Sequence, residues 1–279
     1  TFCIVPYVRG RERSVSAGEI VDQVKRIAQE GFKEVTLLGQ TVNSYREGDT
    51  DFADLLREVS AVDGIERVRF TSPYPVDFTD RVIAAMAEVS EVCPSLHLPV
   101  QSGSNKQLDT MQRGYTIEEY RELIRKLRIA VPNIALTTDI ITGFCGESDE
   151  DFRLTYELME EIRYDSAFMF KYSAREGTYA HKKMSDDIPE KIKGERLQQV
   201  IKLQEGISRE VNQQYIGQTV EVLVEGPSKR PAKDGQPRFY GRTRQGKTAI
   251  FTQEIQRNEI VNIRVADTTS HTLLGEIAE

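Results

Sequence analysis

The sequence predicts an α/β fold, a parallel sheet with helices between its strands, followed by a small all-β domain. Three observations predict it. Segments with apolar residues at helical spacing alternate with short β-prone runs. Polar, glycine-bearing segments (LGQTVNSY, SPYP, QSGSN, TGFCGE, SAREGT) follow nearly every run, as connections at the carboxyl edge of a parallel sheet do. Beyond Gly217 the pattern changes to short alternating strands with turns rich in Gly, Pro, Asn and Asp.

The elements follow in order. Ile20, Val24, Ile27 and Ala28 mark a helix that Gly31 stops before the strand EVTLL at 34–38. Phe52, Leu55, Leu56 and Val59 form the next helix face, Gly64 breaks it, and IERVRF is the second strand. The cycle repeats through a helix at 79–89 and strand SLHLPV, a helix at 116–130 and strand IALTTDIIT, and a helix at 149–162 and strand DSAFMFKYS. This alternation means βαβ units, and pattern alone leaves the parallel sheet either open or closed. In both layouts ligands gather at the carboxyl edge. Residues 189–213, opened by Pro189, read as a long helix linking a domain of residues 1–188 to one of residues 214–279. The second domain holds five strands, TVEVLVEG, RFYGRT, KTAIF, EIVNIRVADTT and HTLLGEI, enough for a small β-barrel.

Composition narrows the function. The 279 residues are 39% hydrophobic, and no run approaches the length of a membrane span. With no secretory layout at the start, the chain reads as soluble and cytoplasmic. Three widely spaced cysteines, Cys3, Cys93 and Cys145, are no disulfide framework. The net charge of −7 requires any nucleic-acid surface to be local. Residues 1–213 carry a balance of −8 and residues 214–279 one of +1. In the tail, Lys229, Arg230, Lys233, Arg238, Arg242, Arg244 and Lys247 surround Phe239 and Tyr240, with Asp234 the one acid of the stretch.

Cys3 taken alone reads as a small buried hydrophobe. Its context, TFCIVPYVRGRE, resembles the end of the C-x-x-x-C-x-x-C motif of radical S-adenosylmethionine (SAM) enzymes in its methylthiotransferase form, CTFCIVPYTRGRE. LLGQTVNSY, LHLPVQSGSNKQLDTMQRGYT, TDIITGFCGESDEDF and FMFKYSAREGTYA resemble further segments of that family, in the same order. YGRTRQGKTAIF resembles the FGRTxxNKxVxF segment of a TRAM domain, a small RNA-binding barrel.

The resemblance implies a partial (β/α)6 radical-SAM barrel of the TIM type followed by a TRAM barrel. It implies a radical [4Fe–4S] cluster with Cys3 as one thiolate ligand and two more before Thr1, and an open iron site that chelates SAM. A second [4Fe–4S] cluster is expected on a preceding N-terminal domain. Gly39 and Gln40 are expected at the methionine end of SAM, and Asp139, Gly143 and Glu147 on its adenosine side. Ser173 and Arg175 belong to the same set, Arg175 facing the SAM carboxylate or an RNA phosphate. Arg238, Phe239, Arg242, Arg244 and Lys247 are expected to hold RNA by charge and stacking. Each residue also has a plainer reading: the glycines relax turns, His97 is a strand-end structural histidine, a loop carboxylate is solvated, and the basic stretch is a solvated face.

The implied activity is methylthiolation of C2 of N6-isopentenyladenosine just 3′ of the anticodon, position 37 of tRNA. The expected partners are the anticodon stem-loop and an electron donor, with no membrane, for a monomer. The alternatives are methylthiolation of an aspartate on a small-subunit ribosomal protein, the same chemistry on threonylcarbamoyladenosine, or a fragment that binds RNA without catalysis. Cys145 stands where the family has proline and carries no assigned role. Cys93 is expected in the core.

Overall fold

The computed structural model describes residues 1–8, 10, 13–229 and 237–278, without the side chains of Pro6 and Tyr7. Arg230, Lys233 and Asp234 of the basic stretch lie outside the described residues. Five helix–strand units come first: α1 (Ala17–Gln29) and β1 (Glu34–Leu37), α2 (Phe52–Ser60) and β2 (Arg67–Phe70), α3 (Asp80–Glu88) and β3 (Ser95–His97), α4 (Ile117–Ala130) and β4 (Ala135–Thr142), α5 (Asp149–Ile162) and β5 (Ser166–Lys171). The helices begin where side chains can take up their free N–H groups. Asp51, Thr116 and Ser148 each build a reciprocal capping box with the residue three positions on.

All five strands pair in parallel, but in two pieces, β1 with β2 and β3 with β4 and β5. One bridge, Val68 to Val92, joins them. The Cys93 N–H reaches the Val68 carbonyl, but the next donor on that side, Ser95, turns back to the Cys93 carbonyl at 2.8 Å instead of continuing along β2. Beyond His97 the pairing with β4 continues irregularly, Leu98 and Gln101 donating to the carbonyls of Thr137 and Asp139.

Strand alternation sorts the residues. Val35, Leu37, Val68, Phe70, Leu96, Leu136 and Ile140 face the helices and pack on Val24, Leu55, Leu56, Val82, Tyr120, Leu127 and Leu158 in one core. Each such side chain contributes roughly 1.5–3 kcal/mol on burial. The opposite, inner face carries Glu34, Arg67, Arg69, His97, Thr137 and Asp139.

Helix α6 (Glu190–Gln213) packs along β5 and leads into β6 (Thr219–Pro227), β7 (Phe239–Thr243), β8 (Thr248–Phe251), β9 (Ile260–Thr268) and β10 (Thr272–Ile277). These close into a barrel in the order β8-β10-β9-β6-β7 around Val222, Val224, Phe239, Phe251, Ile263 and Leu273. Gly241 is needed there, because a Cβ would lie 2.2 Å from the Leu223 carbonyl oxygen.

The barrel docks on the first domain through the β7–β8 hairpin, at the amino ends of the parallel strands. Arg67, 0% exposed, donates to Glu221 Oε1 at 2.7 Å and to the Arg242 carbonyl at 2.7 Å. Arg69 donates to the carbonyls of Thr243 (2.8 Å) and Arg244 (2.9 Å) and pairs with Glu34 at 3.0 Å.

Candidate active site at the carboxyl edge of the sheet

The loops after the strands hold one another. The Asn43 side chain donates to the Tyr74 carbonyl (2.8 Å) and accepts from its N–H (2.7 Å), tying the loop after β1 to the loop after β2. The Tyr74 hydroxyl donates to the Arg113 carbonyl, and Arg113 reaches the Pro99 carbonyl at 3.1 Å, which ties in the loop after β3. That loop is pinned in turn to α5: the Gly103 N–H donates to Thr155 Oγ1 at 2.9 Å and the Ser104 hydroxyl to Asp151 at 2.6 Å. Burial alone would raise the Asp151 carboxyl, but Lys106, Ser104 and Ser148 together hold it well below its ordinary value.

The amino-terminal residues lie across this edge. The Thr1 ammonium donates to the Met111 carbonyl at 3.3 Å, the Ala180 N–H donates to the Thr1 carbonyl at 3.1 Å, and the Phe2 ring meets Phe144 edge-on at 6.1 Å. Cys3 is therefore held, partly exposed, against the loops that follow β3, β4 and β5. Gly39 and Gln40 are exposed past β1, and Ser173 and Arg175 are exposed past β5, where the Arg175 carbonyl accepts from Thr178 Oγ1 at 2.7 Å.

Two expected cofactor contacts belong to the scaffold instead. Glu147 is 2% exposed, and its carboxylate accepts from the Gly143 N–H (2.7 Å) and from Arg196 of α6 (2.6 Å). In this arrangement it shapes the loop from within. Burial raises its pKa against the opposing pull of Gly143 and Arg196. Gly143, at φ +72°, is needed for a close approach: a Cβ there would lie 2.3 Å from Lys193 Cγ. Lys193 cannot move aside easily, since its amine is buried against Asp186 at 2.5 Å and over the Tyr172 ring.

Asp139 does face the inner side, and it brings His97, which sequence reasoning read as a structural strand-end histidine. His97 Nε2 stands 3.4 Å from Asp139 Oδ1, and its Nδ1 lies 2.9 Å from Thr137 Oγ1. The signal was available, because Leu96 and Leu98 must face the helices and alternation then turns His97 inward. A cleft of about 540 Å³ between Pro75, Phe78, Tyr115, Glu118 and Lys126 lies on the helical side, away from these groups.

Among the described residues no group of three His, Cys, Asp or Glu side chains could hold a metal. Cys93 is buried at the opposite end of the sheet, as expected of a core residue, and burial pushes its thiol up. Cys145 is buried beside Tyr172, its thiol also raised chiefly by burial. The residues present thus supply one thiolate at the edge where an iron–sulfur cluster needs three, and no reaction step can be derived through a cluster from them.

The tail corrects the sequence reading most. Phe239 is a core residue stacked on Phe251, with no face open to a base. Lys247, its side chain 8% exposed, pairs with Asp165 at 2.6 Å and donates to Asn212 at 2.8 Å. Arg244 donates to the carbonyls of Ser90 and Glu66, on the first domain. All three are occupied by packing or docking, because the hairpin that carries the charges is the one that meets the sheet. Arg242 pairs with Glu225 at 3.2 Å, and Arg238 is half-buried.

The fold and this edge match known proteins. The description "Radical SAM superfamily" fits residues 1–159, and "TRAM domain" fits residues 213–278. The chain belongs to the radical SAM superfamily. Such enzymes use a [4Fe–4S] cluster and SAM. Among curated proteins, it is 48% identical over 283 residues to a tRNA-2-methylthio-N(6)-dimethylallyladenosine synthase of Alkaliphilus oremlandii, covering 100% of this chain and 59% of that protein. A protein of the same name from Acetivibrio thermocellus is 48% identical, covering 99% of this chain and 58% of its own length. The chain therefore spans about three-fifths of the length of these relatives. The solved structure of coproporphyrinogen III oxidase from Escherichia coli shares the fold, with a TM-score of 0.51 at 14% identity over 90% of this chain and 60% of that one.

Proposed function

We propose that the chain is the SAM-binding and RNA-binding part of a tRNA methylthiotransferase, acting on C2 of N6-isopentenyladenosine next to the anticodon. The observation that carries this reading is the near-complete match of the chain to the relatives of that name, through both the parallel sheet and the tail. The edge geometry supports it. Cys3, Gly39, Gln40, Ser173 and Arg175 sit on loops at one end of the sheet, accessible to a ligand. The inner face below them is polar and able to orient a base.

On this reading Cys3 would be one ligand of the cluster, which with SAM would supply a radical able to activate the C–H bond, and a second cluster on a preceding domain would supply sulfur. The chain's own groups bind and orient. Gly39 and Gln40 present backbone to the methionine end, and the Arg175 guanidinium offers paired donors to a carboxylate or phosphate. The interlocked loops hold these groups in place. The tail offers Arg238 and Arg242 to RNA phosphates, an electron donor is required, and the protein works as a monomer.

The test uses the full-length protein, reconstituted anaerobically with iron, sulfide and SAM, and an anticodon stem-loop carrying isopentenyladenosine. Nuclease digestion and mass spectrometry should find one methylthio group added to that nucleoside. SAM cleavage with an unchanged nucleoside, or transfer to a ribosomal-protein peptide instead, would reject the reading.

A further inference from the structure

Strand β5 leaves two aromatic rings uncovered. Phe168 is 58% exposed and Phe170 54% exposed, whereas strands of a parallel sheet are ordinarily buried on both faces. Both point to the inner side, because Ala167 and Met169 between and beside them pack into the helix-side core. Phe168 is the register partner of Asp139 on β4, and its ring meets His97 edge-on at 5.7 Å. One patch thus combines an open aromatic ring with the His97, Thr137 and Asp139 side chains.

The polar groups of that patch are close but not saturated. His97 Nε2 approaches Asp139 Oδ1 at 3.4 Å, longer than a hydrogen bond, and its Nδ1 lies 2.9 Å from the Thr137 hydroxyl. A carboxylate only accepts, and Asp139, beside its register partner Phe168, keeps acceptor capacity for a ligand. A ligand for this patch is planar, to cover Phe168, and carries an N–H at its edge, to satisfy Asp139.

We propose that Phe168 and Asp139, with His97 as the positioning residue, form a seat for an adenine ring, stacked on Phe168 with its exocyclic N–H donated to Asp139. The identity of the ligand rests on the tRNA methylthiotransferase reading. That reading provides two sources of adenine, the cofactor and the target nucleotide. Asp139 lies four residues before Gly143, about 13 Å down the strand from the edge loop at roughly 3.3 Å per residue. The seat is inside the sheet, below the loops that bear Gly39, Ser173 and Arg175.

Calorimetric titration of the full-length protein separates the sources. One arm uses S-adenosylhomocysteine, a second the isopentenyladenosine stem-loop, and a third the same stem-loop with N6,N6-dimethyladenosine, which lacks the exocyclic N–H. Phe168→Ala and Asp139→Asn should each weaken binding about tenfold or more in one of the first two arms and leave the other within about twofold, naming the source. His97→Ala should weaken the same arm less, and His97→Gln, which can donate to Asp139, should recover most of that loss. If the RNA arm is the one affected, wild-type protein should also bind the dimethyl stem-loop less tightly, by a factor that Asp139→Asn removes. Phe168 is half in solvent, so Phe168→Ala tests the seat even where a substitution at His97 or Asp139 unfolds the domain. Wild-type binding of both ligands with no effect of any variant overturns the seat and leaves the methylthiotransferase reading standing. Wild-type binding of neither overturns both.

Discussion

At Glu147 and Asp151, two buried carboxylates four residues apart respond to pH in opposite directions. Burial raises Glu147, so its contribution to stability is largest at low pH and declines as pH rises above its ordinary value of 4.5. Asp151 is held below its ordinary 3.8 by Lys106, Ser104 and Ser148, so its contribution is present above that value and lost as pH falls beneath it. Urea unfolding of wild type should therefore show an acid limb below about pH 4, and Asp151→Asn should flatten that limb while lowering stability at neutral pH. Glu147→Ala leaves Arg196 without its buried partner and should cost about 3–5 kcal/mol, read from the shift in urea midpoint at constant slope. A loss under about 1 kcal/mol would mean that water replaces the carboxylate. Sequence reasoning placed Glu147 in this loop but could not show its buried contacts, since a carboxylate following glycines looks the same whether it faces a ligand or its own backbone.

The elements themselves were legible because apolar periodicity is a local property. The helices and strands begin and end within a few residues of their expected positions. What one element does to another was less visible. Gly143 reads as a turn glycine, yet its requirement comes from Lys193 on α6, fifty residues along the chain. Gly143→Ala should cost about 2–4 kcal/mol through clash and left-handed strain together, measured by denaturant unfolding. In Lys193→Ala, which opens the space, the same substitution should cost only the backbone strain, about 1–2 kcal/mol. Equal costs in the two backgrounds would show that the helix does not press on the loop.

For the whole molecule, the consequence lies in how the barrel is attached. Arg67, Arg69, Arg244 and Lys247 form a charged, largely buried seam at the amino ends of the strands, the end away from the candidate site. Lys247→Ala removes a partner from Asp165 in that seam and should destabilise by about 3 kcal/mol, splitting thermal unfolding into two transitions. Its RNA affinity in the folded state should change little. Arg238→Ala, at a half-buried position outside the seam, should instead leave stability within about 0.5 kcal/mol and reduce the salt slope of stem-loop binding by about one. If Lys247→Ala lowers RNA affinity and leaves unfolding unchanged, the hairpin contacts RNA and the docking seen here is not the working arrangement.

Periodicity, turn residues and capping patterns are written in neighbouring residues, so the sequence by itself determined the α/β order, the long linking helix, the five-strand tail and the edge at which ligands gather. Segment resemblance added the superfamily. Tertiary structure alone decided which of the charged residues are free. Glu147 and Lys247 are charged groups whose partners, Arg196 and Asp165, come from distant parts of the chain. The same holds for His97 and Asp139, which stand on adjacent strands separated by a whole helix. A side chain's type states what it can bond, but the partner that satisfies it is chosen by packing, and burial then makes that choice costly to reverse.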